Sequence, residues 1–133
     1  MNVLFVSGVG VITSDPAASA RFYVDELGLP LVDDDGYRHS NEVAGVKHFG
    51  VWPLAAAAQA CFGSDTWPAD TPIPTATIEF DVDDVAAAAE EMVAAGHRLL
   101  HSARTEPWGQ TVARLLSPEG VLIGLSYAPW FRD

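Results

Sequence analysis

Residues 15–28, DPAASARFYVDELG, and residues 83–96, DDVAAAAEEMVAAG, decide the fold, because one helix pattern occurs twice at a spacing of 68 residues. Each stretch opens on an aspartate suited to an N-cap and closes on a glycine suited to a helix stop. We predict two helices capped by Asp15 and Asp83 and ended by Gly28 and Gly96. Each helix has one apolar stripe at helical spacing, formed by Ala20, Tyr23, Val24 and Leu27 and by Val85, Ala88, Ala89 and Met92.

Strand patterns precede and follow both helices. Residues 1–14 carry no charge, and no Lys or Arg precedes their apolar run, which favours a buried strand over a signal peptide. Residues 76–82, ATIEFDV, alternate apolar and polar side chains as in a strand with one covered face. The alanine-rich residues 54–62 are ambiguous. Further strands are predicted at 29–32, 37–46, 47–53, 97–103, 111–117 and 121–128, with turns at Asp35-Gly36 and Pro118-Glu119-Gly120.

The repeat therefore includes strands as well as helices. Each half runs strand, helix, then three strands, and a half-length repeat of one supersecondary unit is a stronger signal than any single element. We predict an α+β fold, a single domain of two tandem βαβββ modules whose mixed sheet curves around a concave cleft. The modules cover residues 1–62 and 75–133, and the proline-rich residues 63–74 link them.

Composition restricts the partners. Seven Lys and Arg against 18 Asp and Glu give a net charge of −11. Phosphates would be repelled, which argues against nucleic acid and anionic membranes as partners. Cys61 is the only cysteine, so no intrachain disulfide can form, and a reducing cytoplasm fits. No apolar run reaches the length of a membrane span.

Three stretches carry a resemblance to a known family. They are DPAASARFYVDELGLPL (15–31), EFDVDDVAAAAEEMVAAGHRLL (79–100) and EPWGQTVARLLSPEGVLIGLSYAP (106–129). Together with the doubled βαβββ unit, they resemble the vicinal-oxygen-chelate superfamily of glyoxalases, extradiol dioxygenases and bleomycin-resistance proteins. The resemblance covers essentially the whole chain.

The resemblance implies which positions of this sequence correspond to the metal ligands of the metal-using members. The residues found at those positions are Gly8, Thr77 (or Ala76 if the register slips), Gly124, and Gly50 or Val51. Glycine, alanine and valine side chains cannot coordinate a metal, and one threonine is a poor ligand. The resemblance is thus closest to the metal-free members, of the bleomycin-resistance type, which work as dimers and bind ligand in a cleft.

A metal site could still have moved elsewhere. His97 and His101 lie on one side of a predicted strand but are about 13 Å apart, too far to share an ion. A relocated site would have to use His48, Glu79 and Glu106. We expect no metal cofactor and treat a divalent ion as disfavoured.

Glu79 is the most informative charged residue. Alternation turns Ile78, Phe80 and Val82 toward the helix, and it turns Thr77, Glu79 and Asp81 toward the concave face. A carboxylate there costs desolvation unless it is paired. Glu79 either binds a cationic or hydroxyl-bearing ligand group or acts as a general base. Alternatively, it pairs with Arg114 or another arginine on an adjacent strand, or it lies at a solvated rim.

Tryptophan supplies the second signal, at Trp52, Trp67, Trp108 and Trp130. Rings near loops can stack on planar ligands or cover cations. Trp108 is the best candidate, because Glu106 and Gln110 flank it in one loop. Trp130 fits a core plug or a dimer contact better.

Two classes of function follow. The first is a metal-free small-molecule binding protein, likened to bleomycin-resistance proteins, that sequesters a cationic or aromatic antibiotic-like ligand as a cytoplasmic homodimer. The alternative is an enzyme. It would be either a glyoxalase- or dioxygenase-type enzyme with displaced metal ligands, or a metal-free lyase or isomerase that uses Glu79 as its base. No other catalytic residue is assigned. The predicted ligand-binding residues are Phe49, Trp52, Glu79, Asp81, Glu106, Trp108 and Gln110.

Overall fold

A computed structural model describes residues 1–132. The strands are β1 (Val3–Thr13), β2 (Val32–Asp34), β3 (Tyr37–Ser40), β4 (Phe49–Pro53), β5 (Ala76–Val82), β6 (Leu99–Thr105), β7 (Thr111–Leu116) and β8 (Leu122–Tyr127). The helices are α1 (Pro16–Ala20), which continues as a π-helical segment (Arg21–Glu26), then α2 (Leu54–Phe62), α3 (Val85–Ala94) and a 3₁₀ turn (Pro129–Phe131). No helix in this part of the chain is long and apolar enough to cross a membrane.

All eight strands form one open, curved sheet in the order β2-β3-β4-β1-β5-β8-β7-β6. The central strands β1 and β5 are antiparallel, and each has a parallel neighbour, β4 beside β1 and β8 beside β5. The α+β class and the curved mixed sheet are confirmed. The division into modules at residues 63–74 stays a prediction.

The helix ends follow the sequence signals with one correction. The Asp15 carboxylate accepts from the Ala18 amide and caps α1, as predicted. The prediction for Asp83 is wrong, because the Ala87 amide donates to Asp84 instead. Gly28 and Gly96 both have positive φ and end the two helices. Because Asp84 caps α3, the first helix has one residue more than α3 between its cap and its glycine. The π-helical turn, with an i to i−5 bond from Leu27 to Phe22, takes up that extra residue.

Two segments differ from the predicted strands. Residues 41–48 form a loop between β3 and β4, so the predicted strand at 37–46 ends early. The predicted strand at 29–32 lies later, at Val32–Asp34. Residues 54–62, ambiguous in the sequence, form α2, which Gly63 ends with a φ of 73°.

Helices pack on both faces of the sheet. Leu115 of β7 belongs to a core cluster with α3, whereas the next residue, Leu116, packs against a second cluster with α2. Successive strand residues point to opposite faces, so α2 and α3 lie on opposite sides. Trp67 of the linker completes the α2 cluster, with its indole N–H bonded to backbone carbonyls. Because α2 fills one end of its face, only the rest of that face is left open.

Candidate functional site

The open part of the α2 face holds a cleft of about 490 Å³ over the central strands. Seven of its lining residues are aromatic or histidine side chains that form the walls, namely Tyr37, His39, His48, Trp52, Trp108, Trp130 and Phe131. The floor is polar and is formed by Glu79 and by glycines of β1 and β4. Clefts with apolar walls and few placed polar groups are typical ligand sites.

Glu79 stands between two glycines in the sheet. Gly8 of β1 is its partner on one side and Gly124 of β8 on the other. A methyl group on Gly124 would lie 3.2 Å from Glu79 Oε2, so the carboxylate stands over that glycine. A methyl group on Gly8 would lie 3.5 Å from Glu79 Oε1 and 3.6 Å from His48 Cδ2. Gly8 therefore leaves a gap between Glu79 and His48.

Among residues 1–132, only one oxygen of Glu79 accepts a hydrogen bond. Gln110 Nε2 donates to Glu79 Oε2 at 3.0 Å and to the Ser126 hydroxyl at 2.8 Å. Trp108 Nε1, which can only donate, bonds Gln110 Oε1 at 2.8 Å and so fixes the orientation of the amide. Glu79 Oε1, which faces the gap over Gly8, accepts no hydrogen bond from residues 1–132.

The opposite side of the gap carries a hydrogen-bonded chain of three residues. Tyr37 Oη lies 2.5 Å from His48 Nε2, and His48 Nδ1 lies 2.7 Å from Asn41 Oδ1. A methyl group on Gly50 would lie 2.2 Å from Tyr37 Oη, so the tyrosine needs glycine there. The His39 ring stacks on Tyr37 at 4.7 Å and extends the wall.

Burial determines the protonation states of His48 and Tyr37. Desolvation, helped by the neighbouring His39, lowers the pKa of His48 from 6.5 to about 4, so its ring is neutral near pH 7. Desolvation and the negative charge of Glu79 raise the pKa of Tyr37 well above its usual range, so the phenol keeps its proton.

The comparisons with known proteins now identify the family. A model of the Glyoxalase/Bleomycin resistance protein/Dioxygenase superfamily matches residues 6–125. The chain belongs to this superfamily. No curated protein matches the chain significantly.

Solved structures share this superfamily fold at low identity. Methylmalonyl-CoA epimerase from Mycobacterium tuberculosis is 22% identical with a TM-score of 0.58, over 97% of this chain and 91% of that one. A variant of the Streptomyces coelicolor epimerase, in complex with 2-nitronate-propionyl-CoA, is 19% identical with a TM-score of 0.58, over 99% of each chain. A superfamily member from Vibrio splendidus 12B01 is 15% identical with a TM-score of 0.56, over 89% and 94%. Identities this low show the fold alone.

The donor set does not fit the superfamily metal site implied by the resemblance. Gly8, Gly50 and Thr77 line the cleft, but glycine offers no ligand and the Thr77 hydroxyl donates to the Leu122 carbonyl. Tyr37 takes the space over Gly50. Within residues 1–132, no group of three or more His, Cys, Asp or Glu is arranged to hold an ion.

Four of the seven predicted ligand residues line the cleft, namely Trp52, Glu79, Trp108 and Gln110. Ligand binding by them stays a prediction. Phe49, Asp81 and Glu106 are placed elsewhere. Phe49 points to the other face, where its ring packs 5.8 Å from Tyr23.

Asp81 and Glu106 lie outside the cleft because each is buried in an ion pair. Asp81, fully buried at the end of β5, accepts from Arg132 Nε at 3.0 Å. Glu106, 6% exposed, pairs with Arg104 at 2.6 Å and with Arg114 at 4.0 Å. The relocated metal site of His48, Glu79 and Glu106 is therefore not assembled.

Arg114 does not pair with Glu79, so that alternative is wrong. Its guanidinium contacts Glu106 and His101 and stands 5.3 Å from the Trp52 ring centre. Trp130 is 51% exposed and lines the cleft, so it is not a core plug.

Sequence reasoning missed the chain of Tyr37, His48 and Asn41. One signal was present: Tyr37 and His39 are two residues apart in a strand and so share a face. Nothing local showed that the loop after β3 would bring Asn41 and His48 together beside it.

Two partly buried histidines predict an acid sensitivity. Desolvation lowers the pKa of His48 and of His101 to about 4 in the folded protein, against the ordinary histidine value of 6.5. Between those values the unfolded chain binds protons that the folded chain does not, so stability should fall as the pH falls from about 6.5 to about 4. The limiting slope is about 1.4 kcal/mol per pH unit for each histidine.

Urea unfolding across this pH range measures the effect. His48→Gln and His101→Gln should each flatten the slope, whereas His97→Gln, at an exposed position, should not. Equal slopes in all four proteins would show that these histidines are not the cause.

Proposed function

We propose that this protein binds a flat, cationic small molecule in the cleft, without a metal ion. The observation that carries the proposal is Glu79 Oε1, a carboxylate oxygen at the floor of an aromatic cleft that has no donor in the described part of the chain. A carboxylate in such surroundings costs desolvation that a bound cation offsets. Ring faces at the walls also attract cations.

Three cations of the protein near the cleft have partners other than Glu79. Arg114 contacts Glu106, Arg132 contacts Asp81, and Lys47 stands over the Phe5 and Phe131 rings. None of the three donates to Glu79. The net charge of −11 adds long-range attraction for a cation.

The biological role that fits is sequestration of a cationic or aromatic antibiotic-like compound, as the resemblance to bleomycin-resistance proteins implies. A homodimer and a cytoplasmic location belong to the same proposal.

Calorimetric titration with two quinoline probes tests the charge preference. We expect saturable binding of 4-aminoquinolinium and none of quinoline-4-carboxylate, since the two share a ring and differ in charge. Glu79→Gln keeps the shape but removes the charge, and should raise the Kd of the cation about tenfold to a hundredfold.

Glu90→Gln is the matched control, because it removes one charge from the exposed face of α3. Its Kd should stay within twofold of wild type. Absence of saturable cation binding to wild type, or equal losses in the two variants, would refute the proposal.

An isomerase with Glu79 as general base is the second candidate. The supporting observation is that the free Glu79 Oε1 and the Tyr37–His48 pair flank one gap. Glu79 would take a proton from a carbon next to a carbonyl and return one from solvent.

Mass spectrometry of methylmalonyl-CoA in deuterated water checks this second function. Deuterium should enter the carbon acid with wild type and not with Glu79→Gln, at equal folded content. No enzyme-dependent exchange with wild type would exclude this candidate for that substrate.

A further inference from the structure

We propose that Asn41 and His48 orient the Tyr37 hydroxyl so that its oxygen acts as a hydrogen-bond acceptor toward the cleft. The gap over Gly8 then selects planar cations that carry N–H donors, such as amidinium or amino-heteroaromatic compounds. The inference rests on the proposed function and adds the hydrogen-bonding chemistry of the ligand and two positioning residues.

The first step is the tautomer of His48. A neutral imidazole has one N–H, and both ring nitrogens here have an oxygen partner. Asn41 presents Oδ1, which can only accept, so the hydrogen is on Nδ1. Nε2 is then an acceptor, and the Tyr37 hydroxyl must donate to it.

The second step is what remains at Tyr37. Its single hydrogen points to His48, so only lone pairs of Oη are left for the cleft. Glu79 Oε1, on the other side of the gap, is also an acceptor. Ligand groups that bring donors to both sides are satisfied, and a group without N–H leaves both oxygens unpaired.

The third step is the thickness of the gap. Glu79 Oε1 and His48 Cδ2 lie 3.5 Å and 3.6 Å from the same point over Gly8, so they are at most about 7 Å apart. Two van der Waals contacts of about 3.5 Å fill that upper limit, so the gap admits no more than one layer of atoms. A planar group fits edge-on, and a tetrahedral ammonium does not.

Two flat cations on one ring system test the donor requirement. 4-Aminoquinolinium carries N–H donors and N-methylquinolinium carries none. Wild type should bind the first about tenfold more tightly, and Tyr37→Phe should reduce that ratio to about threefold or less. Equal binding of the two cations would overturn this inference while leaving the proposed function intact, whereas binding of neither would refute the proposed function.

Asn41→Asp tests the orientation itself. An aspartate beside Nδ1 favours protonated His48, whose Nε2–H would donate to Tyr37 and turn the hydroxyl hydrogen into the cleft. The new carboxylate and the imidazolium cancel in charge, and the hydroxyl hydrogen then opposes N–H donors, so the ratio of the two Kd values should fall toward one. Asn2→Asp adds the same charge at an exposed position, and its ratio should match wild type.

Nitrogen-15 NMR of the histidine side chains gives a readout without any ligand. His48 should show a protonated Nδ1 and a bare Nε2 in wild type, and two protonated nitrogens in Asn41→Asp. A wild-type ring protonated at Nε2 would overturn the assigned orientation, whatever the binding data show.

Discussion

Arg132→Met is expected to lower the free energy of unfolding by roughly 3–5 kcal/mol, the usual cost of leaving a buried charge without its partner. Asp81 is fully buried, and its Oδ2 accepts from Arg132 Nε at 3.0 Å and from the Ala128 amide at 2.9 Å. Asp81 Oδ1 has no partner among the described residues. Methionine keeps much of the length of arginine but removes the charge, and urea unfolding at neutral pH measures the loss.

A surface substitution and a double variant serve as controls. Arg98→Met, at an exposed position, should change stability by less than about 0.5 kcal/mol. Asp81→Leu combined with Arg132→Met should recover much of the loss, because no charge is then left buried. If Arg132→Met unfolds like Arg98→Met, the ion pair does not stabilise the protein.

Gly8→Ala is expected to raise the Kd of 4-aminoquinolinium about tenfold to a hundredfold while the protein stays folded. The methyl group would meet Glu79 Oε1 and His48 Cδ2 at ordinary contact distances of 3.5 Å and 3.6 Å, so nothing in the protein has to move. It would fill the gap that the ligand needs, and overlap of that kind costs about 1–3 kcal/mol or more. Calorimetric titration gives the Kd, and thermal unfolding checks the fold.

Gly10→Ala is the contrasting variant in the same strand. Its methyl group would lie 2.4 Å from the Gly50 carbonyl oxygen, so β1 and β4 would have to separate. We expect a lower melting temperature there, in contrast to Gly8→Ala. Wild-type affinity in Gly8→Ala would mean that the ligand does not occupy the gap.

Much of the fold could be read from local signals. Capping aspartates, helix-ending glycines and alternating strands act within a few residues, so they predicted two helices and most strands. The ambiguous residues 54–62 were different, because an alanine-rich run fits several environments, and only packing against Ile12 and Leu122 makes it α2. Asp83 and Asp84 are adjacent, and the geometry of the turn decided which one caps α3.

The candidate site divides in the same way. Alternation in β5 placed Glu79 on the cleft side. Trp108 and Gln110 were selected because they lie in one loop with Glu106. The same alternation also selected Asp81, which a sequence pattern could not distinguish from Glu79. The difference is Arg132, 51 residues away, which covers Asp81 and leaves Glu79 open.

By itself, the sequence determined the fold class, the family resemblance and the absence of metal-binding side chains at the implied ligand positions, because these depend on residue type and spacing. Only the tertiary structure decided which carboxylates are neutralised and which oxygen is left for a ligand. Those outcomes depend on side chains that meet from distant strands and on the space left by Gly8. Neither the meeting of Asn41, His48 and Tyr37 nor that gap leaves a periodic signal in the chain.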